Sequence, residues 1–124
     1  MVKRILAVDD DKSIIKMLQD ELQSRLPDTE ILATNSGLAA LNLLLGGSID
    51  LLITDIAMPD MNGYELYKRA KETNEELPVI MITGFGYDPS HAVVNAKRDG
   101  LENVFFKPFD MDKLEKKVRE SLDI

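Results

Sequence analysis

Acidic, hydroxyl and amine side chains follow short apolar runs at four separate places in the sequence. These runs end at Asp9-Asp10-Asp11, at Asp55, at Thr83 and at Lys107. If the four runs are strands of one parallel sheet, their carboxyl ends meet at one edge, where open α/β folds place their chemistry. Carboxylates are hard oxygen ligands for a cation such as Mg²⁺, and a carboxylate can also attack phosphorus. The pattern therefore predicts a cation site beside a carboxylate that carries a phosphoryl group.

The elements that would position these side chains alternate along the chain. Short β-type runs occupy residues 5–8, 29–34, 51–54, 79–82 and 104–106. Helical periodicity follows each run: a first helix capped by Ser13, then residues 38–45, 64–73 and 91–98, then a last helix carrying Leu114, Val118 and Leu122. This alternation requires a parallel sheet with helices on both faces. We expect one flavodoxin-like (βα)5 domain over residues 1–124, with five parallel strands in the order 2-1-3-4-5.

In that strand order the first and third strands are neighbours at the point where the order reverses. Asp9 and Asp10 follow the first strand, and Asp55 ends the third, so the three acids are expected in one crevice. An acidic pair alone commonly caps a helix, and a lysine or threonine at a strand end commonly meets water or the backbone. The coincidence of four strand ends favours the cation and phosphoryl interpretation over these alternatives.

Composition narrows the possible partners and compartment. The 124 residues carry a formal charge of −7, which opposes direct binding to nucleic acid or to an anionic membrane. The chain has no cysteine, which excludes disulfides and thiol catalysis. Its first residues lack the apolar core of a signal peptide, and no stretch approaches the roughly 20 apolar residues of a membrane span. We therefore expect a cytoplasmic protein.

Four motifs of the chain resemble those of the receiver domain of two-component response regulators. They are residues 8–10 (Val-Asp-Asp), 55–63 (Asp-Ile-Ala-Met-Pro-Asp-Met-Asn-Gly), 81–84 (Met-Ile-Thr-Gly) and 106–109 (Phe-Lys-Pro-Phe). Each motif is short, but their order and spacing are highly specific, and the resemblance extends from residue 3 to residue 122. No output domain follows residue 124, so we expect either a stand-alone receiver or one cut from a larger regulator.

The resemblance implies a phosphoacceptor and a cation site. Asp55 would accept a phosphoryl group from a sensor histidine kinase or a histidine phosphotransfer protein, in a reaction that needs Mg²⁺, for which Mn²⁺ can substitute. Asp10 and Asp55 would bind the cation directly, Asp9 through water, and Ala57 through its backbone carbonyl. Such a chain is a signalling switch with at most its own phosphorylation and dephosphorylation chemistry, and is not an enzyme with a separate substrate.

The resemblance also implies how the phosphoryl group acts. Thr83 and Lys107 would contact it and change the surface formed by the fourth helix, fifth strand and fifth helix. That surface would bind an effector protein or output domain, or form a homodimer. Val104 stands where the family usually has an aromatic residue, so switching by a rotating ring is not expected here. The Lys107-Pro108 bond is expected to be cis.

Other residues have secondary roles or support competing functions. Phe85 could shield the phosphoryl group and Ala57 cannot orient a water molecule, which together predict slow dephosphorylation. Asp9 and Asp11 also fit the D-x-D start of haloacid-dehalogenase-like phosphatases, and a receiver that only docks without phosphorylation is a further alternative. Asp11 is otherwise expected at the mouth of the acidic pocket, and residues 38–45 are expected in the core, with a partner groove as the alternative.

Overall fold

Five parallel strands form a single sheet in this computed structural model, which describes residues 2–56, 58, 60–83 and 104–124. The strands are Arg4–Val8 (β1), Glu30–Thr34 (β2), Leu51–Asp55 (β3), Val79–Thr83 (β4) and Val104–Phe106 (β5). Their order across the sheet is β2-β1-β3-β4-β5. The predicted flavodoxin-like fold and strand order are confirmed.

Four helices cover the sheet within the described ranges. They are Lys12–Arg25 (α1), Gly37–Leu45 (α2), Gly63–Thr73 (α3) and the C-terminal helix Met111–Leu122. The predicted helix over residues 91–98 lies outside the described residues. Among these four helices, none has the length and apolar content that crossing a bilayer requires.

The cap of α1 differs from the prediction. Asp11 is the N-cap, and its Oδ1 accepts hydrogen bonds from the Ser13 backbone N at 2.9 Å and from the Ser13 hydroxyl at 2.6 Å. Because the Ser13 hydroxyl donates to this cap, the prediction that Ser13 itself caps the helix is wrong. The Asp11 side chain therefore caps the N-terminus of α1. Its hydrogen bonds with Ser13 lower the pKa of its carboxyl group.

Buried side chains form one cluster on each face of the sheet. On one face, Leu6, Leu52 and Met81 pack with residues of α2 and α3. On the other face, β-strand side chains pack with α1 and with Leu114, Val118 and Leu122 of the C-terminal helix. The expected periodicity of that last helix is therefore its core stripe. By strand alternation Val104 packs against the first cluster and Phe105 against the second.

Helix α2 is only partly buried, which corrects the expectation that residues 38–45 belong to the core. Ala40 and Leu44 are buried, but Leu38 is 53%, Leu43 40% and Leu45 62% exposed. A helix lying on a sheet buries one stripe, whereas leucines occupy nearly every side of this helix. The excess leucines consequently face solvent.

An ion-pair network joins α1 to the C-terminal helix. The Arg25 guanidinium lies 3.0 Å from a Glu115 carboxylate oxygen, and Arg119 lies 2.9 Å from the other oxygen. Hydrogen bonds from Arg119, which has the larger effect, and from Arg25 lower the pKa of Glu115 below its ordinary value of 4.5. The network therefore contributes stability when Glu115 is ionised.

Candidate functional site

Three acids meet at the carboxyl edge of β1 and β3. These strands are neighbours, with Val8 paired to Thr54, so the residues that follow β1 lie beside Asp55. One carboxylate oxygen from each of Asp9, Asp10 and Asp55 lies within 4.8 Å of the other two. Asp9 and Asp55 are buried, whereas Asp10 is exposed. The structure thus brings together the three acids that the strand-end pattern singled out.

Lys107 lies against two of these acids. Its backbone N donates to the Thr83 carbonyl at 2.6 Å, which continues the pairing of β4 with β5 beyond the strand. Its Nζ lies 2.6 Å from Asp9 Oδ2 and 3.6 Å from Asp55 Oδ2. Burial works to lower the pKa of the ammonium group, but Asp9 and Asp55 outweigh it, and the pKa lies above its ordinary value. Lys107 is therefore a permanent positive charge beside Asp55.

Asp9 is held firmly by the protein itself. Besides the Lys107 contact to Oδ2, its Oδ1 accepts a hydrogen bond from the Asp11 backbone N at 2.9 Å. Both oxygens are therefore engaged, which fits an indirect, water-mediated contact with a cation better than a direct one. Asp10, being exposed, is open to an ion arriving from solvent.

The Thr83 hydroxyl is buried and lacks a hydrogen-bond partner among the described residues. The residue ends β4 and is 1% exposed, and within the described part of the chain its Oγ1 has no hydrogen-bond partner. Thr54, also fully buried, contrasts with it because its Oγ1 donates to the Asp55 carbonyl at 3.0 Å. A buried hydroxyl without a partner is unfavourable, so Thr83 is prepared to donate to an acceptor that enters the site.

The turn after Asp55 depends on a glycine. The Gly63 backbone N donates to the Ile56 carbonyl at 2.7 Å, which closes the loop against the end of β3. A Cβ atom at Gly63 would lie 2.0 Å from the Asp55 carbonyl oxygen, so no side chain fits there. Gly63 thereby allows α3 to start against the backbone of Asp55.

Asp60 has a role that the sequence analysis missed. Its Oδ2 accepts a hydrogen bond from the Ser36 hydroxyl at 2.6 Å, and its carboxylate also accepts from the backbone N of Gly37 and of Leu38, each at 3.2 Å. These hydrogen bonds lower the pKa of the Asp60 carboxyl group, and the bond from Ser36 has the largest effect. The loop that follows Asp55 thus caps the N-terminus of α2. A stretch of sequence offers no signal for a cap supplied 24 residues away.

The remaining predicted site residues are placed as follows. The Lys107-Pro108 peptide bond is cis, as predicted. Val104 is partly buried against the cluster that α2 and α3 cover. Ala57 and Phe85 lie outside the described residues. Asp11 caps α1, as described above.

Comparison with known proteins identifies the family. A sequence model of the response regulator receiver domain matches residues 5–119. The chain belongs to this family. It is 34% identical over 122 residues to a chemotaxis protein CheY homolog of Campylobacter jejuni, a match spanning 96% of this chain and 92% of that protein. It is 37% identical over 117 residues to the Regulator of RpoS of Escherichia coli, spanning 94% of this chain and 34% of that longer protein.

Solved receiver-domain structures share this fold. A CheY-like receiver domain protein of Methanospirillum hungatei superposes with a TM-score of 0.88 at 28% identity, covering 99% of this chain and 95% of that one. The receiver domain of DrrB, solved in a form activated by BeF3, superposes with a TM-score of 0.84 at 29% identity over the full length of both chains. Receiver domains are signalling domains of two-component systems, in which response regulators interact with kinases and effector domains. The family assignment therefore indicates a signalling domain, and the acid cluster is a candidate cation site within it.

Proposed function

We propose that this chain is a phosphorylation-dependent signalling switch whose phosphoacceptor is Asp55. The observation that carries the proposal is the position of that carboxylate, 4% exposed, grouped with Asp9 and Asp10 and 3.6 Å from the Lys107 ammonium. The phosphoryl donor is the phosphohistidine of a sensor histidine kinase or of a histidine phosphotransfer protein. The whole of residues 1–124 acts as one receiver domain in the cytoplasm.

The transfer needs a divalent cation, Mg²⁺ or Mn²⁺, for which the donor set is suited. The cluster supplies three hard oxygen ligands, and the excess negative charge of three acids against one lysine favours an added cation. Asp10, Asp55 and the backbone carbonyl of Ala57 would hold it directly, and Asp9 through water. When bound, the cation offsets the negative charge that builds up on the phosphoryl oxygens.

The protein's own residues carry the rest of the chemistry. An Asp55 carboxylate oxygen attacks phosphorus, the phosphorus–nitrogen bond of the phosphohistidine breaks, and its electron pair returns to the imidazole nitrogen. Lys107 binds a phosphoryl oxygen with its ammonium group, and Thr83 donates its hydroxyl hydrogen to another. Both gain contacts that exist only in the phosphorylated state, which is what shifts a two-state equilibrium.

The consequence of phosphorylation is a changed surface around the fifth strand and the helices beside it. This surface binds an effector protein or an output domain, or forms a homodimer, and the chain has no separate enzymatic substrate and no direct contact with nucleic acid or membrane. Because Val104 has no ring, the change is transmitted through Thr83 and Lys107 without an aromatic rotation. Phe85 and Ala57 slow the loss of phosphate.

Labelling with a small phosphodonor tests the assignment. Wild type and the Asp55→Asn and Asp9→Asn variants are incubated with acetyl phosphate and Mg²⁺, and the bound phosphoryl group is measured by intact mass. We expect labelling of wild type, none of Asp55→Asn, and none of any protein when EDTA removes the cation. Asp9→Asn should retain labelling at a reduced rate, because Asp9 assists without reacting.

Two other outcomes would assign another function. If Asp9→Asn lost labelling and Asp55→Asn retained it, Asp9 would be a phosphatase-type nucleophile. That result would be unexpected, because both carboxylate oxygens of Asp9 are already engaged by the protein. Complete absence of labelling in a folded wild-type protein would support a receiver used only for docking.

A further inference from the structure

The loop between β3 and α3 is attached to the start of α2 through the Asp60 side chain. The backbone N–H groups of Gly37 and Leu38 each donate to its carboxylate at 3.2 Å, and the Ser36 hydroxyl donates to it at 2.6 Å. A helix leaves its first four N–H groups without partners inside the helix. In α2 the other two of these groups donate to the side chains of Thr34 and Ser36. The loop therefore supplies half of the caps that this helix needs.

The backbones of the loop and of α2 also approach each other closely. A Cβ atom at Gly37 would lie 2.9 Å from Met61 Cβ and 3.3 Å from the Met61 carbonyl oxygen, so only glycine fits against the loop there. At its far end the loop closes on β3, where the Gly63 backbone N donates to the Ile56 carbonyl. The loop begins at the end of β3, which carries Asp55, and it is fixed both there and against α2.

We propose that Asp60 is a positioning residue for the cation site, whose hydrogen bonds with α2 hold the loop in the arrangement that binds Mg²⁺. The inference rests on the proposed function, in which Asp55, just before the loop, and the backbone carbonyl of Ala57, within it, bind the cation. Because coupling between two sites is reciprocal, bound Mg²⁺ must then stabilise the hydrogen bonds of Asp60 by the same factor. Cation binding at the edge of the sheet is thereby linked to the order of α2.

Asp60 acts through the loop and is not itself a ligand of the cation. Its Oδ1 accepts from Gly37, and its Oδ2 accepts from Ser36 and Leu38, so both oxygens are engaged by α2. In the described part of the chain, the acids grouped closely enough to share an ion do not include it. A carboxylate suits this positioning role, because its two oxygens accept several hydrogen bonds and its charge is favourable at a helix N-terminus.

Titration calorimetry with Mg²⁺ on wild type and on the Asp60→Ala and Asp60→Asn variants tests the proposal. Alanine removes every hydrogen bond that Asp60 makes with α2, so we expect the Kd for Mg²⁺ to rise by at least about fivefold. Asparagine removes the same charge but keeps one acceptor oxygen, so its Kd should lie between those of the alanine variant and wild type. Equal Kd values for the two variants would mean that Asp60 acts only through its charge, and would overturn the proposal.

Asp110→Ala is the matched control. Asp110 is also an exposed acid that caps a helix, since its Oδ1 accepts a hydrogen bond from the Asp112 backbone N at 2.8 Å. Its replacement removes one negative charge and one helix cap, as Asp60→Ala does, but it breaks no hydrogen bond between the loop and α2. It should therefore bind Mg²⁺ as wild type does. A loss of affinity as large as that of Asp60→Ala would overturn the proposal, because the loss of a cap anywhere would then explain both.

Amide hydrogen exchange of wild type provides a readout that does not depend on any variant folding. The N–H groups of Gly37 and Leu38 should exchange more slowly at saturating Mg²⁺, by the same factor as Asp60→Ala loses in affinity. The Asp112 N–H, which donates to Asp110, should exchange at an unchanged rate. Unchanged exchange at Gly37 and Leu38 in a protein that binds Mg²⁺ would overturn this proposal alone. No Mg²⁺ binding by folded wild type would overturn the proposed function, and this proposal with it.

Discussion

Replacing Thr83 with valine should stabilise the protein in the absence of ligands. The Thr83 hydroxyl is buried and has no partner among the described residues, so folding removes it from water without compensation. An unsatisfied buried hydroxyl costs about 1–3 kcal/mol, and a methyl group of the same shape avoids that cost. We therefore expect the free energy of unfolding to increase by about 1–2 kcal/mol. For a chain of 124 residues this corresponds to a rise in Tm of about 4–8 °C.

Thr54 provides the matched control for this experiment. It is as buried as Thr83 and lies in β3, the strand paired with β4, but its hydroxyl donates to the Asp55 carbonyl at 3.0 Å. Thr54→Val should therefore lower stability by about 1 kcal/mol. Urea unfolding followed by circular dichroism, with EDTA present, measures both variants. If Thr83→Val is destabilised as much as Thr54→Val, the Thr83 hydroxyl has a partner in the free protein and the reasoning is refuted.

Three further substitutions test the surroundings of the site and the ion-pair network between α1 and the C-terminal helix. Gly63→Ala should lower the free energy of unfolding by about 2 kcal/mol or more, because its Cβ would lie 2.0 Å from the Asp55 carbonyl oxygen; wild-type urea stability would contradict this. Lys107→Met should cost about 3 kcal/mol without cations, because it removes the positive charge that lies beside the buried carboxylates of Asp9 and Asp55. Mg²⁺ should then raise Tm more in the variant than in wild type, and an equal rise would contradict this reasoning. The pKa of Glu115 is lowered in the folded protein, so its contribution to the free energy of unfolding is present above pH 4.5 and is lost as pH falls through the folded-state pKa. Glu115→Gln should therefore flatten that part of the curve of stability against pH. An unchanged curve would count against the ion-pair network.

The strand ends of the site were predictable because two simple regularities act together. Short apolar runs define the strands, and the alternation with helices makes the sheet parallel, which sends all carboxyl ends to one edge. The acids Asp9 and Asp55 therefore had to approach each other once β1 and β3 were neighbours. The contact of Lys107 with Asp9 follows from the same placement of strand ends.

Details that depend on side-chain competition or on distant loops were not predictable. Asp11 and Ser13 are both good capping residues, and only the path of the chain leaving β1 makes Asp11 the cap. The hydrogen bond from Ser36 to Asp60 joins residues that no local pattern connects.

The exposure of α2 was missed for a related reason. Leucine at positions 38, 41, 43, 44 and 45 surrounds the helix, so the periodicity does not indicate which side the sheet covers. Ala40 and Leu44 face the sheet and are buried, which leaves Leu38 and Leu45 exposed to solvent.

Cation binding tests the central claim most directly, because every proposed step depends on acids from β1 and β3 acting together. Titration calorimetry with Mg²⁺ should show one cation bound per wild-type chain, with binding weakened at least about tenfold in both Asp10→Asn and Asp55→Asn. Asp20→Asn, a change to an exposed acid on α1, should bind as wild type does. No cation uptake by folded wild type, or uptake that neither site substitution alters, would contradict a shared site at this edge of the sheet.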